Sequence, residues 1–252
     1  MQAHTLYDRP DLYDPLAPLD LGCLIVRFYV DMTRERGNQV LDLACGSGRI
    51  AIPLAEAGKQ VVGGDLSPEM LQRARIAAEA RGVKAEFVQL DMRDFDLGGR
   101  RFDTIVVAAN SILHLHSLDD FMGFFRSVVR HLSVNGRLIF DAFVPNIALL
   151  NREPRLRYPV GTIRHNPLGD VTVDETVNYD PITQIQHTTW YWSTDRERDF
   201  WHATFGLRLI FPQEMRLLVS LGGLHLVERF GDFDRGSLTP QSSRQVCICA
   251  LA

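Results

Sequence analysis

Three acidic residues and two glycines in this chain sit at the ends of apolar runs, where they could hold a polar ligand. The first run, Gln39 to Leu43, carries Asp42 and stops in Ala44-Cys45-Gly46-Ser47-Gly48-Arg49. Glycines at such a turn let a ligand approach the backbone, because no Cβ stands in the way. A helix-prone segment, Ile50 to Ala57, follows. Its first N–H groups and partial positive charge would point at the turn. A strand, a Gly-x-Gly turn and a helix N-terminus together bind the polar part of a nucleotide-like ligand. A second run, Val61 to Gly64, ends in Asp65. A third, Phe87 to Leu90, ends in Asp91.

The glycines alone do not choose the ligand, since Gly46 to Ala51 also fits the dinucleotide fingerprint G-x-G-x-x-A. Asp42 opposes that reading: a carboxylate repels a pyrophosphate and attracts an ammonium or sulfonium group. Asp42-Leu-Ala-Cys-Gly-Ser-Gly48 resembles motif I of the class I S-adenosylmethionine (SAM)-dependent methyltransferases, whose loop wraps the methionine part of the cofactor. Phe87 to Phe95 resembles that family's adenine-binding strand end. There Asp91 would accept from the adenine amino group, and Met92 would offer its N–H and an apolar face. Phe102 to Asn110 resembles the family's fourth strand, with its F-D-x-I start and small residues at its end. Together these motifs cover roughly residues 38 to 142. The resemblance implies SAM as cofactor, held by Asp42, Ala44, Gly46, Gly48, Asp65, Leu66, Asp91, Met92, Ala108 and Tyr7, with no metal.

Methyl transfer from a sulfonium is an in-line displacement with a good leaving group, so holding the acceptor in line supplies most of the acceleration. A base is needed only where the acceptor must lose a proton. Asn110 to His116 follows the fourth strand, at the end of the sheet where ligands bind in open α/β folds. The resemblance places His114 beside an acceptor amine, as an orienting group or weak base; packing is its alternative role. His116 reads as exposed. Tyr7-Asp8 and Tyr13-Asp14 resemble the tyrosine-bearing lid that covers cofactor and acceptor in related enzymes, which makes Tyr13 a second candidate catalytic residue. Arg9-Pro10-Asp11 between them is expected to break the helix usual at that point.

Positioning these groups takes an alternation of strands and helices over residues 39 to 142, hence a parallel sheet with right-handed crossovers. The expected fold is α/β: a Rossmann-like, seven-stranded, mostly parallel sheet with helices on both faces and a small antiparallel insert after the fifth strand. Helices are expected over Ile50–Ala57, Pro68–Arg81 and Leu118–Leu132, and Leu16 to Met32 reads as a lead-in helix. Ser67 suits an N-cap, with Pro68 at the first helical position. Residues 143 to 170 read as a long irregular excursion. Val171–Tyr179, Gln184–Ser193 and Thr204–Phe211 then read as the antiparallel insert. The chain thus divides into a cofactor core with lid (1–142), an acceptor-side insert (143–210), and a last helix with two strands (211–252). Arg152, Arg155, Arg157, Arg164 and His165 make the excursion basic, suited to an anionic acceptor or merely solvated. Three stretches, Tyr179 to Gln184, Phe211 to Leu218 and Gly231 to Asp234, resemble a small-molecule branch of the family. That branch includes amino-sugar N,N-dimethyltransferases and glycine/sarcosine-type N-methyltransferases.

At 252 residues, with 46% hydrophobic and 23% charged residues, the chain is of ordinary globular composition. A net charge of −4 disfavours a general nucleic-acid role. No apolar run approaches the ~18 residues of a membrane span, and the start shows no signal-peptide pattern. The four cysteines have no C-x-x-C spacing, which points to a reduced, cytoplasmic setting. The expectation is therefore an enzyme that methylates a small molecule, most directly at an amine nitrogen. An O- or C-methyltransferase of the same fold is the near alternative. A SAM-binding protein without transferase activity and a nicotinamide-dependent oxidoreductase are the distant ones. Ala108-Ala109-Asn110-Ser111 stands where an Asp/Asn-Pro-Pro-Tyr motif would mark DNA-base or glutamine amines as targets. The sequence leaves a homodimer open.

Overall fold

The structure, a computed structural model, describes residues 5–16 and 22–252. Its main sheet has seven strands: β1 (Gln39–Leu43), β2 (Gln60–Asp65), β3 (Glu86–Gln89), β4 (Phe102–Val107), β5 (Leu132–Phe143), β10 (Leu224–Phe230) and β11 (Arg244–Leu251). They lie in the order β3-β2-β1-β4-β5-β11-β10, and β11 alone runs antiparallel to its neighbours. The chain winds outward from β1 to β3, then returns to place β4 on the other side of β1. This reversal opens a crevice at the carboxyl ends of β1 and β4, the ligand position of open α/β sheets.

Helices α2 (Gly22–Thr33), α3 (Ala51–Glu56), α4 (Pro68–Ala80), α5 (Leu118–His131) and α7 (Pro212–Leu221) cover the two faces. One apolar cluster carries Phe121, Phe124, Cys247 and Cys249; the other carries Phe28, Tyr29, Val246 and Ile248. The alternation along β11 is thus that of a strand buried on both faces. Ser67 caps α4 by accepting from Met70 N–H at 3.2 Å, and Pro68 is its first residue. Such a cap contributes about 1 kcal/mol. The lead-in helix begins at Gly22; residues 17–21 of the expected Leu16–Met32 span lie outside the described residues.

The second sheet is antiparallel with four strands, β6 (Tyr158–His165), β7 (Gly169–Asp180), β8 (Ile185–Ser193) and β9 (Trp201–Arg208), preceded by the one-turn helix α6 (Ile147–Leu150). Residues 143–170 are therefore not irregular throughout, because β6 falls within them. Pro159 and Gly161 hid its alternation, and the ladder shifts register between these two residues. The expected Thr204–Phe211 strand lies three residues earlier.

Residues 5–16 form a strap of short helical turns that includes α1 (Pro10–Tyr13). The helix is broken here as expected: Arg9, at φ −127° and ψ 73°, separates the Leu6–Asp8 turn from α1, which Pro10 begins because the first helical position needs no N–H. Leu6 and Leu12 of the strap are buried with Ile163, Val171, Val173, Trp192, Trp201 and Ala203 of the second sheet. Strap and insert thus share an apolar core of their own.

Candidate functional site

The strap and the crevice together line a cavity of about 530 Å³, the size of a small-ligand site. Tyr7, Tyr13, Asp42, Ala44, Gly46, Asp65, Leu66, Asp91, Met92, Ala108 and His114 all line it. Gly48 does not. Its φ is +86°, and a Cβ there would stand 2.9 Å from Ile52 Cδ1, so Gly48 serves the turn and its packing. Gly46, at φ +54°, lines the cavity, and a Cβ there would meet nothing within 4 Å. The two glycines therefore have different reasons for being glycine.

Asp42 is 1% exposed, and burial together with the nearby Asp65 pushes its pKa up to about 8. The Ala51 N–H, at the start of α3, bonds to its carboxylate, while Oδ2 has no hydrogen-bond partner. Asp65 accepts from Gly46 N–H at 2.7 Å through Oδ2 and from Ser67 N–H at 2.9 Å through Oδ1. It braces the glycine turn and the start of α4 together, and each oxygen keeps a lone pair for a ligand. Burial raises its pKa, opposed by the N–H groups of Ser67, Gly46 and Leu66. Leu66 stands 61% exposed at the rim of the cavity.

Asp91 pairs with Arg93, whose guanidinium reaches it at 2.5 Å and holds its pKa down. Its neighbours Asp94 and Asp96 are exposed. Arg49 was not singled out from the sequence. It lines the cavity, bonds to Tyr13, and its Nη1 is buried without a partner. The signal was in plain view, one residue after Gly48, but an Arg at a helix start reads as a surface charge.

The strap is tied to both neighbours. Asp14 accepts from Ser47 Oγ at 2.9 Å and pairs with Arg73 of α4 at 2.6 Å. Asp11 pairs with Arg9 and with His165 of β6, at 2.6 and 3.1 Å. Tyr7 and Tyr13 meet edge to face at 5.2 Å. The Tyr7 hydroxyl and His114 Nε2 share a hydrogen bond of 2.7 Å.

His114 belongs to a short helical turn, Ser111–His114. Burial and the neighbouring His116 push its pKa down to about 4, against the pull of the Gly206 carbonyl. The ring is neutral at pH 7 and a poor acceptor for a proton from an ammonium group. Burial also raises the Tyr7 pKa well above its ordinary value, so the pair carries no charge. His116 is half-buried rather than exposed, because its Nε2 reaches the Gly206 carbonyl of β9 at 3.0 Å. The basic excursion offers little free charge to an anion. Arg152 pairs with Glu175, Arg157 with Asp199, Arg164 with Asp170, and His165 with Asp11.

Residues 40–136 match a family described as a methyltransferase domain. The chain is similar to the CcbJ methyltransferase from Streptomyces caelestis, with 25% identity, 98% of each chain covered and a TM-score of 0.84. The SAM-bound amino pentose methyltransferase CalS10 from Micromonospora echinaspora has the same fold, with a TM-score of 0.69 at 15% identity over 100% of this chain and 99% of that one. A putative methyltransferase of Bacillus subtilis, YqeM, is 37% identical over 113 residues, 45% of either chain. The chain spans about half the length of the curated relatives it matches. Its seven-stranded, mostly parallel sheet with helices on both faces is the fold these methyltransferases share. Among the described residues no helix is long and apolar enough to cross a membrane.

The residues of the cavity fit SAM. Its methionine end carries one ammonium and one carboxylate. Among the described residues, the cavity wall contains two buried, unpartnered polar atoms of opposite charge type, Asp42 Oδ2 and Arg49 Nη1. Buried charged groups ordinarily find partners.

Proposed function

We propose that this chain transfers a methyl group from SAM to a small-molecule acceptor, at an amine nitrogen. The observation that carries the donor half is the complementary orphan pair, Asp42 Oδ2 and Arg49 Nη1, in one cavity wall. Arg49 would meet the donor's carboxylate, Asp42 its cationic part, Asp65 the ribose, and Asp91 with Met92 the adenine. When bound, SAM supplies an electrophilic methyl on a sulfonium.

The acceptor half rests on the Tyr7–His114 pair. A hydroxyl acceptor needs a base able to remove its proton, and an imidazole that titrates near 4 is badly matched to that at neutral pH. A neutral amine needs only orientation, by a hydrogen bond from or to His114 or Tyr7. Tyr13 packs edge-on against Tyr7 and would shape the same end of the cavity. The insert would act on this end indirectly, by packing under the strap and by holding His116 through the Gly206 carbonyl. The test is incubation with methyl-labelled SAM and a panel of small amines, alcohols and phenols, with the product's methylated atom assigned by NMR. Label on nitrogen supports the reading; label confined to oxygen or carbon overturns its acceptor half.

A further inference from the structure

The corner between β4 and the Ser111–His114 turn is held in a conformation its residues would not choose. Ala109 and Asn110 are consecutive, both carry a Cβ, and both lie in the left-handed region, at φ +58° and +64°. Such a pair persists only where its surroundings over-determine it, and strained backbone of this kind gathers at functional sites. The corner carries Ala108, Ala109, Ser111 and His114 to the cavity wall.

What holds it is a buried carboxylate on the adjacent strand. Asp141 of β5 is 0% exposed. Its Oδ1 accepts from Ala109 N–H at 2.8 Å and from the Tyr29 hydroxyl at 2.7 Å, and its Oδ2 accepts from Asn110 N–H at 3.3 Å. Arg244 Nη1 stands 3.7 Å from Oδ2 and supplies the opposing charge. Two side chains of the corner finish the clamp: Asn110 Oδ1 accepts from Phe143 N–H at 2.7 Å, and Ser111 Oγ donates to the Ala108 carbonyl at 2.7 Å. Burial raises the Asp141 pKa, opposed by Tyr29, the Ala109 and Asn110 N–H groups and Arg244; its two carboxyl oxygens offer acceptors to all three donors at once, which an amide or a hydroxyl cannot do. Asp141 does not line the cavity, and nothing in the proposed chemistry uses it directly.

We propose that Asp141, together with Tyr29 of α2, is a positioning residue. It locks the Ala109–Asn110 corner and thereby fixes where His114 meets Tyr7 and the acceptor. The proposal rests on the reading of His114 as the acceptor-facing group. It assigns the buried Tyr29–Asp141 bond a task at the site rather than in the core alone.

The test uses the whole chain and needs no acceptor. S-adenosylhomocysteine affinity is measured by calorimetry, and the His114 ring titration is followed by ¹⁵N NMR. The proteins are wild type, Asp141→Asn, Tyr29→Phe and Asp141→Asn/Ala109→Gly. In Asp141→Asn, S-adenosylhomocysteine affinity is expected to stay within about fivefold. The His114 titration is expected to move from about 4 toward the ordinary ~6.5 as the ring leaves Tyr7 and meets water. Tyr29→Phe should shift it the same way by less, and it serves as the probe should Asp141→Asn not fold. Glycine at position 109 adopts the left-handed conformation without strain, so the double variant should recover most of the wild-type titration. A His114 titration unchanged by Asp141→Asn or Tyr29→Phe overturns the proposal. So does a shift that Ala109→Gly leaves unrepaired, since that would mark a general loss of packing. Wild type failing to bind S-adenosylhomocysteine would instead sink the donor-site reading and leave the clamp to be judged on the titration.

Discussion

Replacing Asp65 with Ala is the sharpest single perturbation of the donor site. In the ligand-free protein its carboxylate accepts from Gly46 N–H and Ser67 N–H, at 2.7 and 2.9 Å. With SAM bound it would also accept from two ribose hydroxyls. A hydrogen bond to a charged group contributes roughly 1.5–3 kcal/mol. Losing two at the low end of that range costs about 3 kcal/mol of binding, about a hundredfold in Kd. The loss of the Gly46 brace adds to this, because the glycine turn is then free to move away from the ligand. Stability of the ligand-free protein should change less. The N–H groups of Gly46, Ser67 and Leu66 lose a partner, but a partly desolvated charge is removed and Asp42 is relieved of its repulsion. The assay is calorimetric titration with S-adenosylhomocysteine, alongside thermal melting to confirm folding. A folded Asp65→Ala protein whose affinity stays within about threefold of wild type would refute the ribose role.

The two glycines should separate binding from folding. Gly46→Ala should fold with only the ~1–2 kcal/mol strain of a left-handed residue and lose most of its SAM affinity; Gly48→Ala should lower the melting temperature more, through strain plus the 2.9 Å clash with Ile52. For Asp42, the folded-state pKa of about 8 lies above the unfolded value of 3.8, so its protonated form stabilises the fold below pH ~4 and that stabilisation is lost as pH rises through 8. Asp42→Asn should therefore stabilise the ligand-free protein at pH 8 by a few kcal/mol while weakening SAM binding, and a melting temperature at pH 8 below that of wild type would contradict it. His114→Ala should cut turnover about tenfold or more with SAM affinity unchanged, and a large loss of SAM affinity would make the residue structural.

Much of this was legible in the sequence because it depends on local patterns. Strand ends at Asp42 and Asp65, the Ser67-Pro68 helix start, and the antiparallel last strand with Cys247 and Cys249 on one face are all fixed by residues a few positions apart. The insert was half legible: its hairpin around Asp180 reads from turn chemistry, whereas Pro159 and Gly161 mask β6. What could not be read depends on partners far away in the chain. Arg152 and Arg157 look like an anion site until Glu175 and Asp199 are seen beside them. Tyr29 and Asp141 are 112 residues apart, and nothing local to either announces the bond between them. Arg49 stood next to the glycine motif, but only its buried, unpartnered nitrogen distinguishes it from a solvated helix charge.

The central claim is that the cavity beneath the strap is built for the sulfonium cofactor, with Asp42 and Arg49 facing its charged end. The most direct measurement is calorimetric titration of the wild-type chain with SAM, S-adenosylhomocysteine and NADH, repeated on Arg49→Met. The account predicts that both sulfur ligands bind, that NADH does not, and that Arg49→Met weakens both sulfur ligands about tenfold or more, as loss of a buried charge-assisted bond requires. Binding of NADH alone would contradict it, and would mean that the glycine turn holds a pyrophosphate beside Asp42.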